Sequence, residues 1–268
     1  MIKAGVLGSP ISHSLSPLLH TTAYRALAID GEYKAYEVAS GGLANFLLNE
    51  GKDLNCLSLT MPLKEEALTF ADHVSTISRQ IASGNTLHKK EDGWHLTSTD
   101  VEGFSFALAG AGNFLTQTVL IIGAGATARA VAAACNREAT SITVVGRSVS
   151  RHESIRLAAP LCSINFVDWD SHLDLDSFDL VVNTTPADTA AVFLERVNDP
   201  KGVFFEVIYN PWPTALLDKW RRAGGSYVDG LDLLIHQAIS QIEIFADQKV
   251  DRLSMANMLR IEGLKALH

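Results

Sequence analysis

A strand, a tight glycine turn and an alanine-rich helix follow one another in TVLIIGAGATARAVAAA, residues 118–134. The turn has the GxGxxA spacing of a dinucleotide-binding fingerprint. Its first glycine permits the sharp turn, its second lets a pyrophosphate approach the backbone, and the helix N-terminus receives the anion. A second strand, SITVVGR, follows the helix, as this mechanism requires. The feature predicts a parallel α/β unit that binds a dinucleotide; a purely structural tight turn is the alternative.

The end of that second strand predicts which dinucleotide is bound. A carboxylate there favours NAD by accepting from both ribose hydroxyls, whereas a basic residue pairs with the 2′-phosphate of NADP. This chain has Gly146, Arg147 and Ser148 at that point, with Arg151 close behind and Glu153 as the first acidic residue. Arg147 offers a phosphate a planar fork of donors, and Ser148 adds a hydroxyl. We expect NADP; the alternative is that both arginines are only solvated at a helix start.

The composition excludes several other classes of protein. Of 268 residues, 47% are hydrophobic and 19% charged, and 22 Lys and Arg stand against 30 Asp and Glu, a net charge of −8. Such a chain can bury a core, and without a clustered basic face we expect no nucleic-acid partner. The longest apolar stretch, residues 119–135, contains glycines, Thr127 and Arg129, so we expect no membrane span. The N-terminal apolar run is short, so we expect no signal peptide.

The cysteines predict the compartment. Cys56, Cys135 and Cys162 lie far apart and form neither a CxxC motif nor a Cys/His ligand cluster. We therefore expect free thiols in a reducing cytoplasm and no metal site. The expected partner is a small-molecule substrate, for a chain that works as a monomer or homodimer.

Short apolar runs alternate with helical periodicity along almost the whole chain, which predicts an α/β protein with parallel strands. Early strands lead to a hairpin turned at Glu91-Asp92-Gly93, and a later strand is expected at Val203–Tyr209. The last two helices have no strand of their own, and Ser254 is a suitable N-cap for the final one. Helices without a sheet need a surface to cover, so we expect them to pack back on the first unit.

This order of elements predicts two domains. A new series of strands begins at Thr118, and residues 101–112 have the pattern of a connecting helix. We expect a substrate-binding catalytic domain of residues 1–100, completed by residues 232–268. The dinucleotide-binding domain is expected to span residues 101–231.

Polar residues follow the early strands at their carboxyl ends, where ligands bind in open α/β sheets. Thr60 ends the third strand, and Lys64 falls in the first turn of the next helix, where a cation is unfavourable to the helix dipole. Such a lysine indicates chemistry, while an exposed surface lysine is the alternative. Asn85 and Asp100 flank the hairpin and can return to the same place, although Asp100 also suits the N-cap of the following helix.

Two serines occupy the loop after the first strand. Ser14 and Ser16 are two residues apart, just before Pro17, so both hydroxyls can point from one loop. The alternative for Ser16 is N-capping, because proline favours the first helical position.

Eight segments of the chain together resemble the shikimate dehydrogenase family, in the same order and over essentially the whole length. They are SPISHSLSPLLH, SLTMPLK, NTL, STDVEGF, GAGATARA, VVGRS, IYNPWPTALL and GLDLLIHQA. The resemblance implies an N-terminal α/β substrate domain, a Rossmann-type NADP domain, and C-terminal helices that pack back on the first domain. The implied reaction is the reversible reduction of 3-dehydroshikimate to shikimate with NADPH, in chorismate and aromatic amino acid biosynthesis.

The resemblance also implies roles for individual residues. Lys64 and Asp100 match the family's catalytic pair. Substrate contacts are implied for Ser14, Ser16, Thr60, Asn85, Tyr209 and Gln237, although Gln237 is also suited to a purely interhelical hydrogen bond. Cofactor contacts are implied for Gly123, Gly125 and Ala126 at the pyrophosphate, Arg147, Ser148 and Arg151 at the 2′-phosphate, Asn183 and Thr184 at the nicotinamide side, and Gly230.

Some positions depart from the family pattern. Ser58 and Ser98 stand where the family often has Asn, and Glu206 stands where Asp is commoner. The departures leave two alternatives open: a related dehydrogenase with altered substrate or cofactor preference, such as one acting on quinate, and a non-catalytic dinucleotide-binding regulator. The serine pair at 14 and 16 favours shikimate, and the intact Lys64–Asp100 pair favours an enzyme.

Overall fold

The computed structural model describes residues 1–114 and 116–267. Leu115 and His268, which fall in the predicted segments 101–231 and 232–268, lie outside the described residues. No helix within the described ranges is long and apolar enough to cross a membrane.

The chain divides into two units. Unit 1 comprises Met1–Gly103 and Leu234–His268, and unit 2 comprises Phe104–Leu233. Both divisions fall inside a helix, α5 (Asp100–Ala111) and α9 (Gly230–Ala246). Each unit has its own sheet and its own buried core.

Unit 1 is built on a mixed sheet, six-stranded in the described residues, with the order β2-β1-β3-β5-β6-β4. Strand β1, second in this order, is buried along most of its length and pairs in parallel with β2 and β3, while the hairpin β5–β6 joins β3 antiparallel. The strands are β1 (Ile2–Gly8), β2 (Gly31–Glu37), β3 (Cys56–Leu59), β4 (His73–Val74), β5 (Thr86–Lys90) and β6 (Gly93–Thr97).

Helices cover this sheet and bury its leucine-rich core. They are α1 (Ser16–Ala26), α2 (Leu43–Leu48), α3 (Leu63–Phe70), α4 (Thr76–Gln80), the start of α5, most of α9, and α10 (Arg252–Leu267). Helix α10 packs against α1, which confirms that the C-terminal helices return to the first unit. The core contains Leu7, Leu57, Leu59 and Leu87, each no more than 2% exposed.

Two helix caps that the sequence suggests, Ser254 and the alternative role of Ser16, are wrong. Leu15, not Ser16, occupies the N-cap of α1, because Ser16 is already the first helical residue. Helix α10 starts before Ser254, and the Asp251 carboxylate accepts from the Ser254 backbone N–H at 3.3 Å. A carboxylate near the positive helix end satisfies a free N–H and complements the dipole.

Unit 2 carries a fully parallel sheet with the order β12-β11-β10-β7-β8-β9 across the described strands. Because this order reverses between β7 and β10, a ligand crevice is expected at their carboxyl ends. The glycine turn follows β7 at that point. The strands are β7 (Thr118–Ile122), β8 (Ser141–Val145), β9 (Ser163–Val167), β10 (Leu180–Asn183), β11 (Val203–Glu206) and β12 (Ser226–Val228).

The helices of unit 2 are short. They are α6 (Ala126–Cys135), α7 (His152–Ala158) and α8 (Ala215–Arg222), with 3-10 turns at Val149–Arg151, Leu175–Ser177 and Thr189–Arg196. The strand expected at Val203–Tyr209 is shorter than predicted and ends at Glu206. Its ladder stops because the Glu206 side chain turns back and accepts from the Ile208 N–H at 3.1 Å.

Candidate active site

The polar residues of unit 1 that the sequence singles out lie where β1 and β3 end, at one end of the sheet. Strands β1 and β3 run parallel with Leu7 opposite Leu59, so both end there. The Asn85 carbonyl accepts from the Leu59 N–H at 2.7 Å, and β6 returns antiparallel to β5 and delivers Asp100 to the start of α5. The topology therefore places the end of β3, the start of β5 and the end of β6 together.

Lys64 and Asp100 form an ion pair at this end of the sheet. Lys64 Nζ donates to Asp100 Oδ2 at 2.6 Å, and the two side chains are 17% and 9% exposed. Lys64 is the second residue of α3, where the sequence places it in the first turn. The pair is shielded from most of the solvent yet accessible, so its charges act in a medium of lower effective dielectric than water.

Asn85 ties the pair to its surroundings. Its Nδ2 lies 2.8 Å from Asp100 Oδ1, 3.0 Å from Thr99 Oγ1 and 3.2 Å from Gln237 Oε1. Its Oδ1 accepts from the Thr99 N–H at 2.8 Å and from the Thr86 hydroxyl, also at 2.8 Å. Asn85 is 2% exposed. Because this buried amide is itself held by several hydrogen bonds, its bond to Oδ1 fixes the orientation of the Asp100 carboxylate.

A second polar chain, which the sequence did not predict, lies beside Asn85. The Tyr33 hydroxyl donates to Ser58 Oγ at 2.6 Å, and Ser58 donates to Gln241 Oε1 at 2.7 Å. Gln241 Nε2 in turn donates to the Asn85 carbonyl at 3.0 Å and to Thr86 Oγ1 at 3.1 Å. Ser58 is buried, and its hydroxyl both accepts and donates a hydrogen bond within this chain of side chains. Its departure from the family pattern therefore coincides with an internal network.

Four other expected site residues also lie in unit 1. The Ser14 Oγ accepts from the Ser16 N–H at 3.3 Å, in the loop that leads into α1. Thr60 directly follows β3 and is half-buried. Gln237, on α9, accepts from Asn85 and donates through Nε2 to the Leu234 carbonyl at 2.8 Å. Gln237 thus joins the Lys64–Asp100 network by hydrogen bonds, whereas the two serines and Thr60 stay as predictions.

The glycine turn of unit 2 has the features that a dinucleotide needs. Gly123 has φ +108°, in the left-handed region, and a Cβ there would collide with the Thr184 hydroxyl. A Cβ on Gly125 would meet no described atom within 4 Å, so it would point into open space. Helix α6 begins at Ala126, and no described side chain caps its first turn. The backbone N–H groups in the first turn of α6 are therefore free to bind an anion, so the turn fits a pyrophosphate.

The strand end after β8 lines an open cavity of about 520 Å³. Arg147 is exposed and its guanidinium lies 5.7 Å from the Trp169 ring centre. Asp168 and Asp170, which follow β9, also line the cavity. The residues at the end of β8 do not predict these two acidic residues or Trp169, because all three follow a different strand, β9. The cavity has the size and the stacking surface for an adenosine moiety.

Ser148 and Arg151 lie near this cavity in sequence, on the exposed turn that follows. The Ser148 Oγ lies 2.8 Å from the Ser150 Oγ, and Arg151 ends a 3-10 turn. The structure therefore keeps both side chains at the surface, and their contacts with a phosphate stay predictions.

A buried carboxylate organises the carboxyl ends of β10 and β11. The Asn183 amide donates to both oxygens of Glu206 at 3.0 and 3.1 Å, and the Thr214 hydroxyl donates to the same carboxylate at 2.6 Å. Asn183 Oδ1 accepts from Thr185. Burial raises the pKa of Glu206, against the lowering effect of these hydrogen bonds. The Asn183 side chain is therefore used within the unit, and its contact with a nicotinamide stays a prediction.

Three further residues of unit 2 are expected at the site: Thr184 and Gly230, which contact the backbone of neighbouring segments, and Tyr209, which lies in a loop. The Thr184 hydroxyl donates to the Ile122 carbonyl at 2.8 Å and supports the glycine turn. A Cβ on Gly230 would lie 2.5 Å from the Ile208 carbonyl, so this close backbone approach requires glycine. Tyr209 is half-buried in the loop after β11; it lies in unit 2, whereas the other expected substrate residues lie in unit 1.

Two family models match the chain. Residues 6–87 match the "Shikimate dehydrogenase substrate binding domain", and residues 105–202 match "Shikimate / quinate 5-dehydrogenase". A Hyphomonas neptunium protein named shikimate dehydrogenase (NADP(+)) is 34% identical over 250 residues, 92% of each chain.

Solved structures are similar over nearly the full length. The crystal structure of Mycobacterium tuberculosis shikimate dehydrogenase has a TM-score of 0.86 and 34% identity, covering 97% of this chain and 99% of that one. The Thermus thermophilus shikimate 5-dehydrogenase in complex with NADP(H) and shikimate has a TM-score of 0.85 and 27% identity, with 98% and 100% covered.

Proposed function

The chain belongs to the shikimate dehydrogenase family, and we propose that its unit 1 binds and reacts with the substrate while its unit 2 binds the dinucleotide. The reaction is the reversible reduction of 3-dehydroshikimate to shikimate by NADPH, within aromatic amino acid biosynthesis. NADPH, when bound, supplies the hydride. The protein supplies binding, orientation and the proton.

The Lys64–Asp100 pair carries this proposal. Asp100 accepts at both oxygens, from Lys64 and from Asn85, which is the hydrogen-bonding pattern of a carboxylate. Lys64 has three N–H donors and only one is engaged by Asp100. As negative charge develops on the substrate oxygen, Lys64 donates a hydrogen bond and then a proton to it. In the reverse direction, Lys64 receives the proton.

We assign the orientation of the substrate to the residues around the pair. Gln237 has a second N–H besides the one that binds the Leu234 carbonyl, and we assign it to the substrate carboxylate. Ser14, Ser16 and Thr60 are assigned to its hydroxyls and carboxylate. Asn85 already has three acceptors for two N–H groups, so its main part is to position Asp100.

Three further residues are assigned to the substrate and the cofactor. Tyr209 keeps its assignment to the substrate carboxylate, and Thr184 and Gly230 keep theirs to the cofactor. Tyr209 and Gly230 lie in two of the segments that resemble the family, and Thr184 matches a family position at the end of β10.

For the dinucleotide, we assign the pyrophosphate to the turn at Gly123, Gly125 and Ala126, because that turn leaves room and free N–H groups. Arg147, with Ser148 and Arg151, is assigned to the 2′-phosphate. An arginine in this cavity has to offset Asp168 and Asp170, which repel a phosphate. The preference for NADP therefore depends on the Arg147 guanidinium.

We place the enzyme in the cytoplasm, as a monomer or homodimer. All three cysteines are free, and burial raises the pKa of Cys56 and of Cys135 to about 12. Such thiols are inert in a reducing compartment.

The test is the ultraviolet absorbance of reduced nicotinamide, with purified protein, shikimate or quinate, and NADP or NAD. We expect fast reduction of NADP by shikimate, and slow or no reaction in the other three combinations. Activity confined to quinate or NAD would overturn the assignments of the serine pair or of Arg147. Dinucleotide binding without turnover of either substrate would indicate a regulator instead of an enzyme.

A further inference from the structure

Three histidines stand in one row across adjacent strands of unit 1. His88 on β5 is directly opposite His95 on β6, and His95 is in turn opposite His73 on β4. Directly opposite residues project from the same sheet face. The ring centres of His73 and His95 are 4.4 Å apart, and those of His88 and His95 are 5.5 Å apart. The sheet register therefore gathers imidazoles that the sequence spacing keeps apart.

The hairpin turn adds a carboxylate to this row. Asp92 Oδ1 lies 2.7 Å from His95 Nε2, and Asp92 Oδ2 lies 3.1 Å from His73 Nε2. One ligand atom from each of these three residues lies within 4.8 Å of the other two. Local spacing, the basis for expecting no metal site, misses ligands such as these, because Asp92 and His95 lie 19 and 22 residues after His73 in sequence.

We propose that His73, Asp92 and His95 form a binding site for a divalent first-row transition metal ion, with zinc as the best fit. Two imidazole nitrogens and a carboxylate oxygen are ligands that zinc prefers, and three protein ligands leave a fourth position for water. Bond lengths of about 2.0–2.2 Å require ligand atoms about 3.3 Å apart in a tetrahedral site. The two Asp92 oxygens already lie 2.7 and 3.1 Å from the imidazole nitrogens of His95 and His73, close to that value.

The site is open to its ligand. The side chains of His73 and Asp92 are 48% and 60% exposed, and that of His95 is 23% exposed. A hydrated ion therefore reaches all three without opening the core. Magnesium and calcium favour all-oxygen sites, so the two imidazoles select against them.

The site lies where the sheet has few backbone pairings. Strand β4 has only two residues and lies at the sheet edge, paired with β6 alone in the described sheet order. A bound ion links β4 to the hairpin turn and to β6. Because it binds the folded chain, it raises the stability of the protein according to its concentration and affinity.

The experiment titrates zinc chloride, and separately cobalt chloride, into the full-length protein free of purification tags. We expect one equivalent of zinc in calorimetry, visible absorption bands of tetrahedral cobalt(II), and a melting temperature raised by a few degrees at saturating zinc. Magnesium chloride should produce none of these effects. His95→Ala should weaken zinc binding about 100-fold, and the near-isosteric Asp92→Asn about 10-fold.

His172→Ala is the matched control, because His172 is an exposed histidine of unit 2 outside this row. It should bind zinc as the unmodified chain does. Shikimate oxidation shows that each variant is folded. Absence of saturable zinc binding would contradict the proposal, as would binding that His95→Ala and Asp92→Asn leave within two-fold of the unmodified chain.

Discussion

Unit 1 presents reactive side chains that are already tied to one another, whereas unit 2 presents backbone groups and an exposed arginine. In unit 1 the Lys64–Asp100 pair, Asn85 and Gln237 form a continuous hydrogen-bonded set. In unit 2 the glycine turn offers free N–H groups, and Arg147 lies at the surface over Trp169.

The difference separates two tasks. A group that stabilises charge in the transition state must be held in place before the reaction, because reorganisation costs free energy at that moment. A group that binds the cofactor equally in ground state and transition state lowers KM without raising kcat. Substitution of the Lys64–Asp100 pair should therefore act mainly on kcat, and substitution of the dinucleotide-binding residues of unit 2 mainly on the KM of the dinucleotide.

The largest expected effect follows from removing the proton donor. Lys64→Ala should lower kcat by about 100-fold or more, because general acid–base groups contribute about 10²–10⁴-fold, while substrate affinity stays within a few-fold. Steady-state kinetics and shikimate titration measure the two quantities. The control is Lys34→Ala, which removes an exposed lysine paired with Glu32 and should leave both unchanged. Near-normal turnover of Lys64→Ala would remove Lys64 from the mechanism.

The second-largest expected effect concerns dinucleotide binding by unit 2. Arg147→Ala should raise the KM for NADP about 30-fold, since hydrogen bonds to charged groups contribute about 1.5–3 kcal/mol. The KM for NAD, which has no 2′-phosphate, should change little. The matched control Asp168→Asn removes a carboxylate from the same cavity and should lower the KM for NADP slightly. Equal effects of Arg147→Ala on both dinucleotides would mean that Arg147 does not contact the phosphate.

The smallest expected effect concerns stability in acid. His20 on α1 is fully buried, and burial lowers its pKa to about 3. Burial also lowers the pKa of His88 and of His236 to about 4, and all three belong to unit 1. In unit 2 the raised pKa of Glu206 acts in the opposite direction, since the folded form then holds its proton more tightly than the unfolded form.

The direction in which pH changes the unfolding free energy follows from the linkage between proton binding and folding. A lowered histidine pKa contributes stability that is present above the ordinary value near 6.5 and is lost as the pH falls toward the folded value. His20 alone should cost about 1 kcal/mol of unfolding free energy between about pH 7 and about pH 5.5. His20→Phe should flatten this slope in urea unfolding, and the exposed His172→Gln should not. An unchanged slope in His20→Phe would show that His20 is not neutral in the fold.

Local chemistry explains which features the sequence predicts. The glycine turn, the position of Lys64 in the first turn of α3 and the return of the C-terminal helices follow from short patterns that the fold confirms. The caps at Ser16 and Ser254 are wrong because neighbouring residues compete for the same helix end. The strand expected at Val203–Tyr209 ends early because the Glu206 side chain replaces the ladder.

Long-range partners explain what the sequence does not predict. Tyr33, Ser58 and Gln241 form one chain although 25 and 183 residues separate its neighbours. No spacing rule marks such a set before the strands are placed. The contact of each expected site residue with its ligand stays a prediction.

The central claim is that the Lys64–Asp100 pair of unit 1 performs the proton chemistry, whereas unit 2 binds the dinucleotide and transfers no proton. Its most direct test is the single-turnover rate of hydride transfer from NADPH to 3-dehydroshikimate in the unmodified chain, Lys64→Ala and Arg147→Ala, with both ligands saturating. We predict that Arg147→Ala reaches a rate within about three-fold of the unmodified chain and that Lys64→Ala is slower by about 100-fold or more. Equal losses in both variants, or an unimpaired Lys64→Ala, would contradict the claim.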